Sequence, residues 1–157
     1  MWNAVKSIFL ALCLLAPQLA SAEDILLTLR LADESEHTFT RTDLENLQKR
    51  EFSTKTLWTE GEVHFVGVSL STLLSEFEVV GGSIKAQAAN DYAIEIPVSD
   101  STKQGPMIAY LLNGKEMSRR DKGPLWIVYP YDANVKYQSE VYYARSIWQL
   151  DRIAIQN

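Results

Sequence analysis

A chain of 157 residues, 46% hydrophobic and 22% charged, has the length and apolar content for one domain with its own core. Its net charge of −5 opposes binding to nucleic acid or to anionic lipid. One cysteine and two histidines rule out a disulfide framework and leave too few donors for a multi-histidine zinc site.

The first element in chain order is an export signal. Lys6 precedes an almost wholly apolar run over residues 8–16, and Pro17 ends it. Ala20, Ser21 and Ala22 then place small residues where a signal peptidase reads them, and Glu23 and Asp24 follow with negative charge. The run is shorter than the ~20 residues a permanent membrane anchor needs. We expect a signal peptide at 1–22 cleaved after Ala22, one domain at 23–157, and a periplasmic location with no stable membrane anchor. Cys13 leaves with the signal, so the remaining domain has no thiolate for a disulfide, a metal or a substrate.

Residues 25–31 predict a strand, since Leu27, Leu29 and Leu31 alternate with Thr28 and Arg30. Residues 38–40 are its candidate partner. Thr42 and Glu45 stand at capping-box spacing, which predicts a short helix to about Lys49. Residues 52–58 read as extended, Glu60-Gly61-Glu62 as a turn and 63–66 as a strand. Over 67–77 the period changes: Val68, Leu70, Leu73, Leu74 and Phe77 recur at helical spacing behind Ser69 as N-cap, and Gly81-Gly82 ends the element. Residues 84–88 and 92–96 predict a hairpin around Ala89-Asn90-Asp91. Asn113-Gly114 predicts a tight hairpin after a strand at 107–112, because both residues tolerate positive φ. The apolar run 125–129, between Pro124 and Pro130, predicts a central buried strand, and 149–155 is expected to close the sheet. The sum is an α+β, strand-rich single domain.

Candidate site residues fall in four places. Arg119, Arg120 and Lys122 form a basic cluster able to clamp an anion, arginine by bidentate hydrogen bonds; a solvated loop with an internal Asp121 ion pair is the alternative. His64 is a proton donor, a ligand contact or a structural strand residue. Asn90, Asp91 and Tyr92 make a hairpin tip, which turn chemistry alone would explain. Tyr129, Tyr131, Asp132, Tyr137, Tyr142, Tyr143 and Trp148 concentrate rings in the last third, where they line a groove or pack the core. Phosphate-loop, nucleophile-elbow and zinc-protease motifs are missing, and no catalytic residue or metal ligand is assigned.

Five segments in order resemble the oxidoreductase molybdopterin-binding domain family, of sulfite-oxidase-type fold. FVGVSLSTLL (65–74) is similar to its aromatic-x-Gly-Val-x-Leu-x-x-Leu-Leu segment, and ANDYAIEIPVSD (89–100) to its Asp-Gly-Tyr and Ile-Pro hairpin. LLNGK (111–115) matches a turn, KGPLWIVYP (122–130) its Gly-Pro-Leu-Arg-Leu-Val-x-Pro strand, and SIWQL (146–150) its closing Lys-Trp-Val-Lys-x-Ile segment. The resemblance implies that fold and a concave site near the 89–92 hairpin. It also implies a molybdenum-ligating cysteine ahead of the aromatic-Gly-Val segment. The corresponding stretch here, FSTKTLW (52–58), has none, and Ser53, Thr54 or Thr56 would be a hard, protonated substitute for a thiolate. The expectation is therefore a non-catalytic periplasmic binding or signalling module. Its partner would be a small anionic ligand or the periplasmic part of a membrane sensor or redox protein. No cofactor is expected, although the family's own is molybdopterin. The alternatives are a molybdopterin-dependent oxidoreductase and an accessory subunit of an exported redox complex.

Overall fold

The computed structural model describes residues 23–156, so the expected signal peptide lies outside the described residues. The elements run β1 (Ile25–Arg30), β2 (Glu36–Thr40), α1 (Arg41–Asn46), β3 (Lys49–Lys55), β4 (Glu62–Ser69), α2 (Leu70–Ser75) and β5 (Ser83–Ala88). They continue with β6 (Ala93–Pro97), β7 (Met107–Leu112), β8 (Lys115–Glu116), β9 (Trp126–Val128), α3 (Glu140–Ala144) and β10 (Leu150–Gln156). Two short 3-10 turns, Val98–Asp100 and Val135–Tyr137, complete the described chain. No described helix is long and apolar enough to cross a membrane.

The strands make two five-stranded sheets. One has the order β2-β1-β10-β5-β6; in the other β3, β4 and β7 are neighbours, and β7 pairs with both β8 and β9. Alternation builds the first: Leu27 and Leu29 of β1, Ile84 and Ala86 of β5 and Ile153 of β10 are all buried. Phe65, Val68, Ile108 and Trp126 belong to the second sheet, and both sets join one continuous core. Fold and sheet content agree with the strand-rich α+β expectation.

Three local readings need correction. The helix predicted from Thr42 is capped two residues earlier, where Thr40 accepts from the Asp43 backbone N–H and Asp43 accepts from the Thr40 backbone N–H. Thr40-x-x-Asp43 has the same spacing as the expected box, and the Thr42 N–H is already bonded to Glu23 Oε1 at 2.9 Å. The strand at 149–155 does not close the sheet. It is β10, inserted between β1 (parallel) and β5 (antiparallel). The run at 125–129 gives only three strand residues, paired with β7 on one side and linked on the other by a single Trp126–Trp148 bridge. Its continuous apolarity reflects burial on both faces, not a central place in the sheet. The Asn113-Gly114 turn is as expected, with φ of 49° and 74° joining β7 to β8.

Gly67 sets the closest approach in the second sheet. A Cβ there would lie 2.1 Å from the Ile108 carbonyl oxygen, at the register shift between Val66 and Gly67. Gly67→Ala is expected to cost about 3 kcal/mol or more, because the obstruction is backbone and cannot rotate away. Gly81→Ala, with nothing within 4 Å of the added carbon, is expected to be near neutral. Urea unfolding of the two variants checks the contrast; equal midpoints would contradict it.

Candidate binding groove

Just after β3 the chain turns and lays Trp58 across the C-terminal aromatics. Its ring centroid is 5.5 Å from Trp148, 5.9 Å from Trp126 and Tyr143, and 6.3 Å from Tyr131, all in edge-on geometry. Such pairs favour one fixed arrangement over a fluid cluster. Trp58, Trp148, Tyr143, Tyr92, Asn90 and Ser146 line a groove of about 300 Å³. Tyr92 is 53% exposed and Trp148 37%, so aromatic faces are offered to solvent at the rim.

The floor is held by hydrogen bonds. Trp126, fully buried, donates Nε1–H to the Ser146 carbonyl at 3.2 Å. The Tyr131 hydroxyl donates to Ser146 Oγ, which donates in turn to the Tyr142 carbonyl. Beneath this, Asp100 accepts from Tyr129 Oη at 3.1 Å and from Arg145 at 2.8 Å. The ion pair with Arg145 is largely buried on both sides and fixes α3, which supplies Tyr143 to the groove. Burial pushes the Tyr129 phenol far above the usual tyrosine value, and the nearby Asp100 charge adds to it. Burial likewise raises Tyr131, against the opposing effect of its bond to Ser146.

The sequence-predicted residues separate into distinct places. Asn90 and Tyr92 line the groove. Asp91, at φ 67° on the same tip, is bonded to Arg152 at 2.9 Å and to Gln87 at 3.1 Å. Arg119 lies in a neighbouring hollow with Arg152, Gln149 and Ala89, on the other side of the Ala88-Ala89 and Trp148-Gln149 segments. It is 3.7 Å from Asp24. Arg120 is exposed with no side-chain partner among the described residues, its backbone N–H bonded to Ser118 Oγ. Gln149 pins the 119–121 loop by donating to the Arg119 and Asp121 carbonyls. Lys122 pairs with Asp121 at 2.8 Å and lies 5.6 Å from the Trp148 ring, behind the groove wall. Tyr131 is buried below the groove, and Asp132 clips β3: it accepts from the Lys55 N–H at 2.7 Å and from Thr54 Oγ1 at 3.2 Å. His64 is on β4, with Ser53 at 3.2 Å and Glu51 at 3.8 Å, and does not line the groove. The groove is also lined by Trp58 and Ser146, which are not among the sequence-predicted site residues. A lone tryptophan in a turn gives no local sign of the four rings it will meet.

The arrangement can hold a flat or apolar group between rings, with an amide and phenols for orientation. It has no nucleophile paired with a base. Among the described residues no group of three or more His, Cys, Asp or Glu side chains is placed to hold a metal ion.

The sequence matches the family described as "oxidoreductase molybdopterin binding domain" over residues 16–139, and the chain belongs to that family. In structure it is similar to the sulfane dehydrogenase SoxCD from Paracoccus pantotrophus, with a TM-score of 0.64 and 21% sequence identity. The match covers 86% of this chain and 39% of that one, so this chain spans less than half the length of SoxCD, and the likeness carries the fold alone. The fold is the sulfite-oxidase-type molybdopterin-binding fold. No curated protein matches the chain in sequence.

The residues at the ligand strand do not fit a family-type molybdenum centre. Ser53 Oγ is bonded to His64 Nδ1, and the buried Thr54 hydroxyl both donates to Asp132 and accepts from its backbone N–H. Neither is a soft, ionised donor.

The tyrosine environments can be read directly in alkali. Tyr129 and Tyr131 are expected to stay protonated well above the pH at which a free tyrosine ionises, ~10. Their folded values lie above the unfolded one. Their contribution to stability is therefore complete below pH ~10 and is lost as pH rises further, because the unfolded chain then releases protons that the folded chain retains. Ultraviolet titration with stability measured in parallel checks this, and Tyr129→Phe should remove one late-titrating group. A single titration step for all seven tyrosines in the folded protein would contradict it.

Proposed function

We propose that this molybdopterin-binding-family domain works in the periplasm as a non-catalytic binding or signalling module. Its aromatic groove, with the adjoining basic hollow, takes a small organic anion or the periplasmic part of a membrane sensor. One observation carries the reading. On the strand where the family resemblance implies a metal-ligating thiolate, Ser53 and Thr54 stand instead, and both hydroxyls are already engaged by protein partners. A thiolate both binds the metal and helps set its potential, and a neutral hydroxyl does neither to a comparable degree. The family match runs through the 65–74, 89–100, 111–115 and 122–130 segments. A retained concavity on an altered ligand strand suits binding better than turnover.

The chemistry of the concavity supports the ligand class. Trp148 and Tyr92 present ring faces at the rim, and Arg119 and Arg152 stand in the hollow beyond the hairpin. Both arginines already hold carboxylates at the surface, Asp24 for Arg119 and Asp91 and Asp151 for Arg152. A ligand anion would displace these exposed pairs at little cost, since surface pairs contribute only about 0–1 kcal/mol each.

Elemental analysis for molybdenum and tungsten, with a pterin fluorescence assay, on protein purified from its native periplasm tests the reading. The expected result is no stoichiometric metal. Near-stoichiometric metal together with pterin would overturn it in favour of an oxidoreductase with an oxygen ligand or no protein ligand. Co-purification with a cytochrome or catalytic chain, and instability when separated from it, would instead favour an accessory subunit.

A further inference from the structure

At the far end of β3 from the groove is a second concavity. It is a recess of about 790 Å³ whose lining includes Lys49, Arg50, Ser69, Ser71, Thr72 and Lys103. β3 is seven residues long, so the recess and the groove stand about 20 Å apart at ~3.3 Å per residue.

Its charge runs against that of the chain. The protein has a net charge of −5, yet three cations line the recess and Glu76 is the single carboxylate among the lining residues. Lys49 is shared with Glu51 at 3.5 Å. Lys103 is exposed and has no carboxylate partner among the described residues.

Arg50 is the exception among the arginines that are not exposed. Two others are substantially buried, and each holds a carboxylate: Arg41 with Glu116 at 3.6 Å and Arg145 with Asp100 at 2.8 Å. Arg50 is part-buried and has no carboxylate partner among the described residues. Its guanidinium donates to the Gly105 carbonyl at 2.7 Å and lies 5.1 Å from the Phe52 ring centroid. Those contacts fix its position. They do not neutralise it, and they leave most of its N–H donors without a protein acceptor. Burial accordingly lowers its pKa from the ordinary arginine value, the mark of an under-solvated charge. Charge partly withdrawn from solvent is commonly paired, and no carboxylate among the described residues pairs this one.

We propose that this recess binds a tetrahedral oxyanion, a phosphate or sulfate group, with Arg50 supplying the fork, Lys103 a second charge and Ser71 a hydroxyl. A guanidinium fork matches two oxygens of such a group, and a dianion suits the excess of cations. Ser69 and Ser71 share one hydrogen bond of 2.7 Å, and hydroxyls can turn to donate to an incoming oxygen. This site is independent of the groove and of any reading of it.

The test is a titration of ¹⁵N-labelled protein with inorganic phosphate at constant ionic strength, with chloride as control. Saturable amide shifts are expected around Arg50, Ser69, Ser71 and Lys103. Arg50→Lys keeps the charge and loses the fork, and should weaken binding about tenfold, the loss of one charge-assisted hydrogen bond. Lys103→Glu alters only an exposed loop side chain and should abolish binding with the fold intact. That keeps the test decisive if Arg50→Lys folds poorly. Phenyl phosphate binding more tightly than phosphate would identify the group as part of a larger molecule, and equal binding would identify a free ion. The proposal is overturned if no saturable shift appears, if Lys103→Glu leaves the shifts unchanged, or if they fall on Arg119 and Arg152 instead.

Discussion

The indole of Trp126 is buried where the two sheets meet, with Phe65 of β4 at 5.2 Å, Trp58 at 5.9 Å and Trp148 at 6.1 Å. Its bridge to Trp148 and its Nε1–H bond to the Ser146 carbonyl tie β9 to the segment that enters β10. The core of one sheet, the entry to the other and the floor of the groove are therefore one packing problem. Aromatic rings in edge-on contact resist sliding, so the groove inherits its shape from the core instead of from mobile loops.

The sulfite-oxidase-type framework carries one continuous core shared by both sheets. β3, where the family resemblance implies a metal ligand, is closed by local bonds: Thr54 and Asp132 exchange hydrogen bonds, and Ser53 meets His64. Function belongs to such sites and not to the fold that carries them. The chain thus offers two kinds of surface, an aromatic groove and a basic recess at opposite ends of β3, on a protein that is acidic as a whole.

What the sequence reveals is what local chemistry decides. The Leu27/Leu29 alternation, the Asn113-Gly114 turn and the helical spacing of Leu70, Leu73 and Leu74 all appear in the structure as elements. The ordered segments from Phe65 to Leu150 point to the family without any single one being decisive. What stays hidden depends on partners distant in the chain. The buried pattern of β10 would serve an edge strand or a central one, and only β1 and β5 beside it decide. Two capping boxes overlap at equal spacing, and the one used is Thr40 with Asp43, while Glu23 from 19 residues away takes the Thr42 N–H. Trp58 reads as an isolated ring until four others converge on it, and Arg50 reads as an ordinary surface charge in a Lys-Arg-Glu run. The lack of a counter-charge is visible only in three dimensions.

The central place of β10 also orders events in time. β1 and β2 touch the rest of their sheet only through β10, the last strand of the described chain. A nascent chain therefore presents a two-stranded hairpin with no third strand to dock on until β10 is available, and such hairpins are marginal alone. The first sheet cannot be completed piecemeal from the N-terminus. Its closure is a late, long-range step, of the kind that slows folding.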